Sequence, residues 1–221
     1  MKAKRLLDIT ISAIALVASI PLFVAVAIGI RLSSRGPILY RAPRVGLNGE
    51  VFVMHKFRTM ETREDKNASA ISRADDPRVF PFGSWLRRMK IDELPQLYDV
   101  LRGKMSLVGP RPEDPRIVRD HYSVEGMETL SVLPGLTSIG SLYYYTNGEK
   151  LLTDQDPEVF YVKHLLPIKL ALDSKYIYDA SLTYYLKLLL RTAQVIVLKS
   201  VSRRSVNFKL VSSEVAKDDF K

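Results

Sequence analysis

The stretch Arg87–Glu113 decides how the rest of the chain is interpreted, and it reads RRMKIDELPQLYDVLRGKMSLVGPRPE. Its middle part predicts a short helix, because Pro95 suits a first helical position and leucines recur at helical spacing. Gly103 can adopt the left-handed conformation that ends a helix. Asp92 and Glu93 are therefore expected at or just before the helix N-terminus, where free N–H groups and the helix dipole stabilise anions.

Charged side chains collect around this predicted helix N-terminus. Arg87 and Arg88 precede it by about one turn, and Arg111 follows in a Gly-Pro-Arg-Pro turn that is stiff because both prolines fix their φ angles. Two carboxylates and several guanidinium groups suit phosphate chemistry with a metal ion. Taken alone, an Asp-Glu pair before Leu-Pro is an ordinary acidic helix cap, so the functional interpretation depends on the other motifs.

Composition limits the class of protein. The 221 residues are enough for one folded domain with an extra element, and the absence of cysteine excludes disulfides and thiolate metal sites. The net charge of +9 indicates an anionic partner, either nucleic acid, anionic lipid or a phosphorylated substrate. No stacked aromatic platform or DNA-binding helix pattern supports a nucleic-acid binder, so we predict no nucleic-acid partner.

The N-terminal segment contains an uncharged run from Ile9 to Ile30. Such a run is long enough to cross a bilayer, but Pro21 interrupts its helical hydrogen bonds and basic residues flank it on both sides. A kinked helix that enters one leaflet and returns satisfies both facts, and a tilted single span is the alternative. A cleaved signal peptide and a buried soluble helix fit less well. Asp8 is expected at the membrane interface.

The remaining chain predicts an α+β, mainly helical fold. Short strands at 38–40 and 51–54 are joined by a turn at 46–49, and Lys56 and Arg58 share one side of an extended segment. Further predictions are a loop over 61–76 and helices over 80–89, 117–133 and 157–198, the last with breaks at Pro167 and near 173–179. An extended segment is predicted through Tyr143-Tyr144-Tyr145, and the amphipathic last helix lies either in a membrane interface or on the core.

Seven motifs occur in an order that resembles the bacterial sugar transferase family, the monotopic phosphoglycosyl transferases. The similarity covers about residues 4–200. The motifs are Lys4-Arg5…Asp8, the apolar run with Pro21, Gly36-Pro37, Arg44-Val45-Gly46…Asn48-Gly49, Lys56-Phe57-Arg58-Thr59-Met60, Asp92-Glu93-Leu94-Pro95-Gln96-Leu97 and Ser106-Leu107-Val108-Gly109-Pro110-Arg111-Pro112.

The resemblance implies a reaction and a cellular place. Such enzymes move a sugar 1-phosphate from a nucleoside diphosphate sugar, usually a UDP-sugar, to undecaprenyl phosphate and release UMP at the start of surface glycan assembly. It implies a bacterial inner-membrane protein with its catalytic domain on the cytoplasmic face, held against anionic lipid. It divides the chain into a re-entrant helix (1–32), a catalytic domain (33–200) and a polar tail (201–221), and a homodimer is one option for its oligomeric state.

The resemblance also implies roles for individual residues. The family's acidic pair falls on Asp92, the nucleophile of a ping-pong reaction, and Glu93, which supports the pair or the metal. Both are implied ligands of Mg²⁺. The phosphate-binding arginines fall on Arg87 and Arg111. The remaining roles are Lys56 and Arg58 as further phosphate contacts, Glu158 as a substrate or metal contact, and Pro21 as the membrane kink.

Two departures from the family pattern keep other functions open. Ile20 separates Ser19 from Pro21, so a serine hydroxyl is not directly before the kink. The segment 138–150 differs from the usual pattern, and Glu149 stands where arginine is expected. A non-catalytic membrane-anchored scaffold or regulator of glycan assembly is therefore the alternative, although the intact acidic pair argues against it.

Overall fold

The computed structural model describes residues 2–62, 71, 76–148, 156–178 and 181–201. These residues are mainly helical with two small two-stranded sheets, as the sequence predicts. Beyond Val201 the predicted tail lies outside the described residues, as do Glu149 and most of the 61–76 loop. The elements are α1 (Lys2–Ala18), α2 (Ile20–Ser33), β1 (Leu39–Val45), β2 (Val51–Phe57), α3 (Pro81–Arg88), α4 (Gln96–Leu101), β3 (Ser106–Val108), α5 (Pro115–His121), α6 (Val124–Glu128), β4 (Gly135–Thr137), α7 (Ile139–Thr146), α8 (Pro157–Phe160), α9 (Leu166–Tyr178) and α10 (Leu182–Val201).

Helices α1 and α2 form one bent pair. The chain bends by 59° at the break between them, and Pro21 lies in the first turn of α2, where its missing N–H costs no helical hydrogen bond. Within the described ranges no single helix has the length and apolar composition of a membrane span, and only the two helices of this pair taken together reach it.

The start of α1 is fixed to the rest of the protein by buried polar contacts. Lys4 Nζ donates to the carbonyl of Val108 at 2.8 Å. Asp8 is 1% exposed and accepts hydrogen bonds from Ser106 Oγ at 2.8 Å, the Leu107 N–H at 2.9 Å and the Tyr185 hydroxyl at 2.9 Å. Three donors on other elements therefore satisfy the buried carboxylate, and the placement of Asp8 at the membrane interface stays a prediction.

The end of α2 is fixed to the same body by apolar packing. Val26 and Ile30 are buried together with Phe57, Phe80 and Leu86. Both ends of the bent pair are thus attached to one body. Between them large apolar side chains are exposed, namely Leu6, Ile9, Ile14, Val17, Ile20, Leu22, Val24 and Ile28.

Strands β1 and β2 form the predicted hairpin. They pair antiparallel from Leu39 opposite Phe57 to Val45 opposite Val51, so the hairpin is longer than predicted. The turn works because Asn48 and Gly49 adopt positive φ angles of 56° and 79°, which these residue types tolerate. The hairpin brings the end of β2 beside the segment between α3 and α4.

The segment from α3 to α4 follows the predicted order of elements. A 3-10 turn at Ile91–Glu93 separates the two helices, and Gly103 has a φ of 77° after α4. At the end of α4 the Arg5 guanidinium donates to the carbonyls of Val100 at 2.8 Å and Leu101 at 3.1 Å. A cation from α1 therefore satisfies carbonyls that a helix end leaves free.

Strands β3 and β4 pair in parallel beneath this segment. Gly109 and Gly135 let the two chains approach closely, since a Cβ added to Gly135 would lie 2.1 Å from the Gly109 nitrogen. The residues of β3 are all buried, and they join the main core with side chains of β2, α4, α7 and α10. This packing fixes the position of the Gly-Pro-Arg-Pro turn that follows β3.

Two predicted elements are corrected. The helix predicted over 117–133 is broken, because Ser123 accepts the Gly126 N–H at 3.1 Å and starts a new helix, α6. The segment predicted as extended through the three tyrosines is helical, because Ser138 accepts the Ser141 N–H at 2.9 Å and starts α7. In both places a serine cap supplies the start signal.

The break predicted at Pro167 is absent. Residues Tyr161–Leu165 form a π-helical turn between α8 and α9, and the Leu166 N–H donates to the Tyr161 carbonyl across it. Pro167 therefore lies in the first turn after a local change of helix geometry, and the chain continues as helix to Tyr178.

Helix α10 packs on the core along one side, and its placement in a membrane interface stays a prediction. Tyr185, Leu188 and Val195 are buried in the main core. The other side exposes apolar residues at helical spacing, namely Leu182, Leu186, Leu190 and Val197. One side of the helix therefore packs on the domain, and an apolar stripe remains at the surface.

Candidate active site

Asp92 occupies a tight turn between α3 and α4. Lys90 has a left-handed φ of 57°, which reverses the chain into the 3-10 turn that carries Asp92. The side chain of Asp92 is nearly buried, with 7% exposure. Its Oδ1 is buried and makes no hydrogen bond to any described residue. Oδ2 likewise bonds to no described residue and is not among the fully buried atoms, so we assign the remaining exposure of the side chain to it.

Glu93, the next residue, is firmly paired. Arg111 donates to Glu93 Oε1 at 2.7 Å and to Oε2 at 3.3 Å, the two-pronged geometry that makes guanidinium–carboxylate pairs strong. Lys90 Nζ lies 3.7 Å from Oε1. Burial raises the pKa of Glu93, but the charges of Arg111, Lys90 and Lys56 lower it further, so the net pKa is well below its usual range.

The two neighbouring carboxylates have opposite electrostatic environments. Burial, followed by the charge of Glu93, raises the pKa of Asp92, and Lys90, Lys56 and Arg87 offset only part of this rise. Because Arg111 is bonded to Glu93 rather than to Asp92, Glu93 neutralises the arginine and Asp92 keeps free lone pairs. Carboxyl groups whose environments push their pKa values apart mark sites of acid, base or nucleophilic chemistry.

Lys56 brings a cation from β2 to the same place. Burial and the nearby charge of Arg111 lower its pKa to about 7, although Glu93 and Asp92 act in the opposite direction. The Lys56 amine is therefore within electrostatic range of both carboxylates and of the guanidinium. An anion that entered here would replace the solvation that this cation has lost.

Arg87 borders the acidic pair from the last turn of α3. Its Nε donates to Thr59 Oγ1 at 2.9 Å, and its charge lowers the pKa of Asp92. The structure thus brings Arg87, Lys56 and Arg111 around Asp92 and Glu93 from three separate elements.

Arg58 lies elsewhere. Its guanidinium donates to the Pro37 carbonyl at 2.6 Å, to Ser34 Oγ and O at 2.8 Å each, and to the Met60 carbonyl at 3.2 Å. The prediction relied on the alternation of side chains along an extended strand. Strand β2 ends at Phe57, one residue before Arg58, so this alternation does not extend to Arg58. We assign Arg58 to holding the turn after α2 and remove it from the phosphate-binding set.

Glu158 lies on α8 in the first turn after the Asp156 cap, whose Oδ1 accepts its N–H at 2.9 Å. The side chain is partly exposed. Its assignment as a substrate or metal contact stays a prediction.

A buried charged cluster lies behind Arg111 and was not predicted. Glu113 contacts Lys169 Nζ and the Tyr161 hydroxyl, and Lys169 donates to Tyr161 at 3.0 Å. Asp173 Oδ2 accepts the Arg111 N–H at 3.4 Å. The signal in the sequence is a Lys and an Asp four residues apart, separated by the apolar residues Leu-Ala-Leu, a spacing that places both on one face.

The acidic pair offers a metal ion at most two carboxylates. In the described part of the chain no group of three or more His, Asp or Glu side chains could hold a metal by itself. Asp92 is the carboxylate with free oxygens, whereas both oxygens of Glu93 accept from Arg111. Mg²⁺ is commonly held by one or two carboxylates together with substrate phosphates, and Asp92 fits that role.

Comparisons with a family model and with individual known proteins agree with each other. Residues 1–199 match the family model described as bacterial sugar transferase. A UDP-glucose:undecaprenyl-phosphate glucose-1-phosphate transferase from Caulobacter vibrioides is 38% identical over 192 residues, which are 86% of this chain and 67% of that protein.

Two further relatives are much longer than this chain. An undecaprenyl-phosphate glucose phosphotransferase from Komagataeibacter xylinus is 50% identical over 117 residues, 52% of this chain. A UDP-glucose:undecaprenyl-phosphate glucose-1-phosphate transferase from Xanthomonas campestris is 43% identical over 140 residues, 61% of this chain. The matched parts are 22% and 28% of those two proteins, so this chain corresponds to a fraction of their length.

Proposed function

The chain belongs to the bacterial sugar transferase family, and on that basis we propose that it transfers a sugar 1-phosphate from a UDP-sugar to undecaprenyl phosphate with release of UMP. One observation carries the proposal. Asp92 has a solvent-facing oxygen without a hydrogen bond, while its neighbour Glu93 is neutralised by Arg111. This is an arrangement for a nucleophilic carboxylate among cations that attract a diphosphate.

The proposed reaction has two displacements at one phosphorus atom. Oδ2 of Asp92 attacks the phosphorus that bears the sugar, an O–P bond forms, and the bond to the UMP oxygen breaks so that UMP leaves with the electron pair. An oxygen of undecaprenyl phosphate then attacks the same phosphorus, and the Asp92 O–P bond breaks, which restores the carboxylate. No proton is consumed when the attacking undecaprenyl phosphate and the departing UMP are both dianions.

Three cations support these displacements. Lys56, Arg87 and Arg111 surround the acidic pair and are proposed to bind the diphosphate oxygens, where guanidinium groups match the geometry of phosphate. A Mg²⁺ ion bound to the diphosphate beside the acidic pair would neutralise charge on the phosphates. The protein orients the phosphorus opposite Oδ2. Arg111 holds Glu93, so that this carboxylate does not compete with Asp92 for the phosphorus.

We place the protein on the cytoplasmic face of the bacterial inner membrane, with α1 and α2 inserted as a re-entrant pair. Support comes from the attachment of both ends of the pair to one body and from the exposed apolar side chains between them. The exposed stripe of α10 and the net charge of +9 suit an anionic lipid surface. The homodimer remains a prediction.

The chain contains no cysteine, so single cysteines can report this topology. We expect Lys2→Cys and Arg35→Cys, at exposed positions on either side of the bent pair, to react with a membrane-impermeant thiol reagent in inverted vesicles and not in intact spheroplasts. Ile20→Cys at the bend is the control, and it is expected to be protected in both. Reaction of one flank from each side would establish a full span.

The reaction is tested with detergent-purified protein, undecaprenyl phosphate, Mg²⁺ and a panel of UDP-sugars that begins with UDP-glucose. We expect UMP release that depends on all three additions. Mass spectrometry of the intact protein with donor alone is expected to show a phosphosugar adduct, which maps to Asp92. Absence of UMP release from every donor by a folded protein would contradict the proposal.

A further inference from the structure

Gln96 is fully buried and makes no hydrogen bond within the described structure. Its exposed fraction is 0%, and both Nε2 and Oε1 are without a partner. In a buried primary amide, both the NH2 group and the carbonyl oxygen are normally hydrogen-bonded. An amide without these bonds destabilises the folded state. The residue therefore calls for an explanation that the packing of the core does not give.

The contacts of its neighbours show which way Gln96 faces. Asp99, three residues further along α4, accepts the His55 N–H at 2.9 Å and contacts His55 Nδ1 at 2.7 Å. Residues three apart on a helix share a face, so Gln96 faces β2. The turn Ile91–Glu93, which carries Asp92, packs against the same strand. A buried polar row of Asp92, Gln96 and Asp99 thus runs along β2.

Only one end of this row is satisfied by the fold. Asp99 is bonded to His55, whereas Asp92 Oδ1 and the Gln96 amide, one turn apart, are buried and unbonded. A carboxylate oxygen can only accept, and the amide offers two N–H donors. The two groups are complementary in chemistry and lie four residues apart in the chain.

From this juxtaposition we infer that Gln96 is a positioning residue for the nucleophile, and that its Nε2–H donates to Asp92 Oδ1 when substrate is engaged. The bond would fix the carboxylate with Oδ2 toward the phosphorus. It would also stabilise the charge that returns to the carboxylate when the Asp92 O–P bond breaks in the second displacement. The inference rests on the proposed function and adds a residue to it.

The test compares Gln96→Met and Gln96→Glu with wild type. Both keep the length of the side chain and lack the amide N–H. We expect each to lower kcat about 100-fold, the size of effect seen when one preorganised donor is removed, with the KM for the UDP-sugar little changed. Glu is expected to be the more damaging, because it places a second acceptor beside Oδ1.

Two further readouts separate positioning from a structural role. The melting temperature of Gln96→Met is expected to equal or exceed that of wild type, because the variant removes an unpaired buried amide. The phosphosugar adduct is expected to form to full amplitude but slowly, and to disappear slowly after undecaprenyl phosphate is added. Gln194→Met, at an exposed position on α10, is the matched control and should leave rate and melting temperature unchanged.

Two outcomes would overturn the inference while the proposed function stands. One is wild-type kcat in Gln96→Glu or Gln96→Met. The other is a lowered melting temperature with reduced adduct amplitude, which would show that Gln96 is bonded within the core. If wild type itself releases no UMP from any donor, the proposed function fails and the role of Gln96 fails with it.

Discussion

Asp92→Asn is expected to abolish turnover, with a loss of about 10⁴-fold or more in UMP release and no phosphosugar adduct. The amide has the shape of the carboxylate but is not a nucleophile toward phosphorus. The melting temperature should not fall at neutral pH, because burial and Glu93 raise the pKa of Asp92 and the ionised form therefore destabilises the folded protein. That destabilisation exists above the unfolded pKa, so the difference from wild type should shrink as the pH is lowered.

Glu93→Gln is the matched comparison for this variant. It changes the adjacent residue in the same way but removes the carboxylate that Arg111 holds at 2.7 Å, so its melting temperature should fall. The measurements are the rate of UMP release and the melting temperature of both variants. Activity in Asp92→Asn would remove Asp92 as the nucleophile, and a clear fall in its melting temperature would attribute the lost activity to folding.

The features that the sequence predicted correctly are determined by residues that lie close together in the chain. The hairpin followed from alternating residues around an Asn-Gly turn, and the bend of the N-terminal pair followed from Pro21. The position of Asp92 and Glu93 just before a short helix followed from Pro95 and Gly103. In each case the determining residues lie within a few positions of the feature, so the sequence alone contains the cause.

Contacts between distant elements were the part that could not be predicted. Asp8 is buried, and its donors come from residues about 100 and 177 positions away, which the sequence did not indicate. Arg58 was expected beside Lys56, but Ser34 and Pro37 bind it. A charged side chain goes where donors or acceptors satisfy it, and for these residues the partners become visible only when the fold is known.

The buried cluster behind Arg111 provides the largest expected effect on stability. Lys169 is 4% exposed and Glu113 is 7% exposed, and the two form an ion pair that also includes the Tyr161 hydroxyl. We expect Lys169→Met to lower the free energy of unfolding by about 3–5 kcal/mol, because Glu113 is left as a buried charge without its cation. Chemical denaturation at pH 7.5 measures the loss.

The pH dependence of this loss has a defined sign. Burial raises the pKa of Glu113, but Lys169 and its hydrogen bonds lower it further, so the net pKa is lowered. The stabilisation by the pair is therefore complete above the unfolded pKa of a glutamate and is lost as the pH falls through the lowered folded pKa. The difference between Lys169→Met and wild type should accordingly narrow in acid.

Adding Glu113→Gln to Lys169→Met should restore part of the lost stability, since the double variant contains no buried unpaired charge.

Lys169→Met alone should also raise the KM for the UDP-sugar at temperatures where it is folded. The reason is that α9 holds the Arg111 loop from behind, through Glu113 and through Asp173 at the Arg111 N–H. An unchanged KM in the folded variant would show that Glu93 alone positions Arg111, and that the buried cluster stabilises the fold without acting on the site.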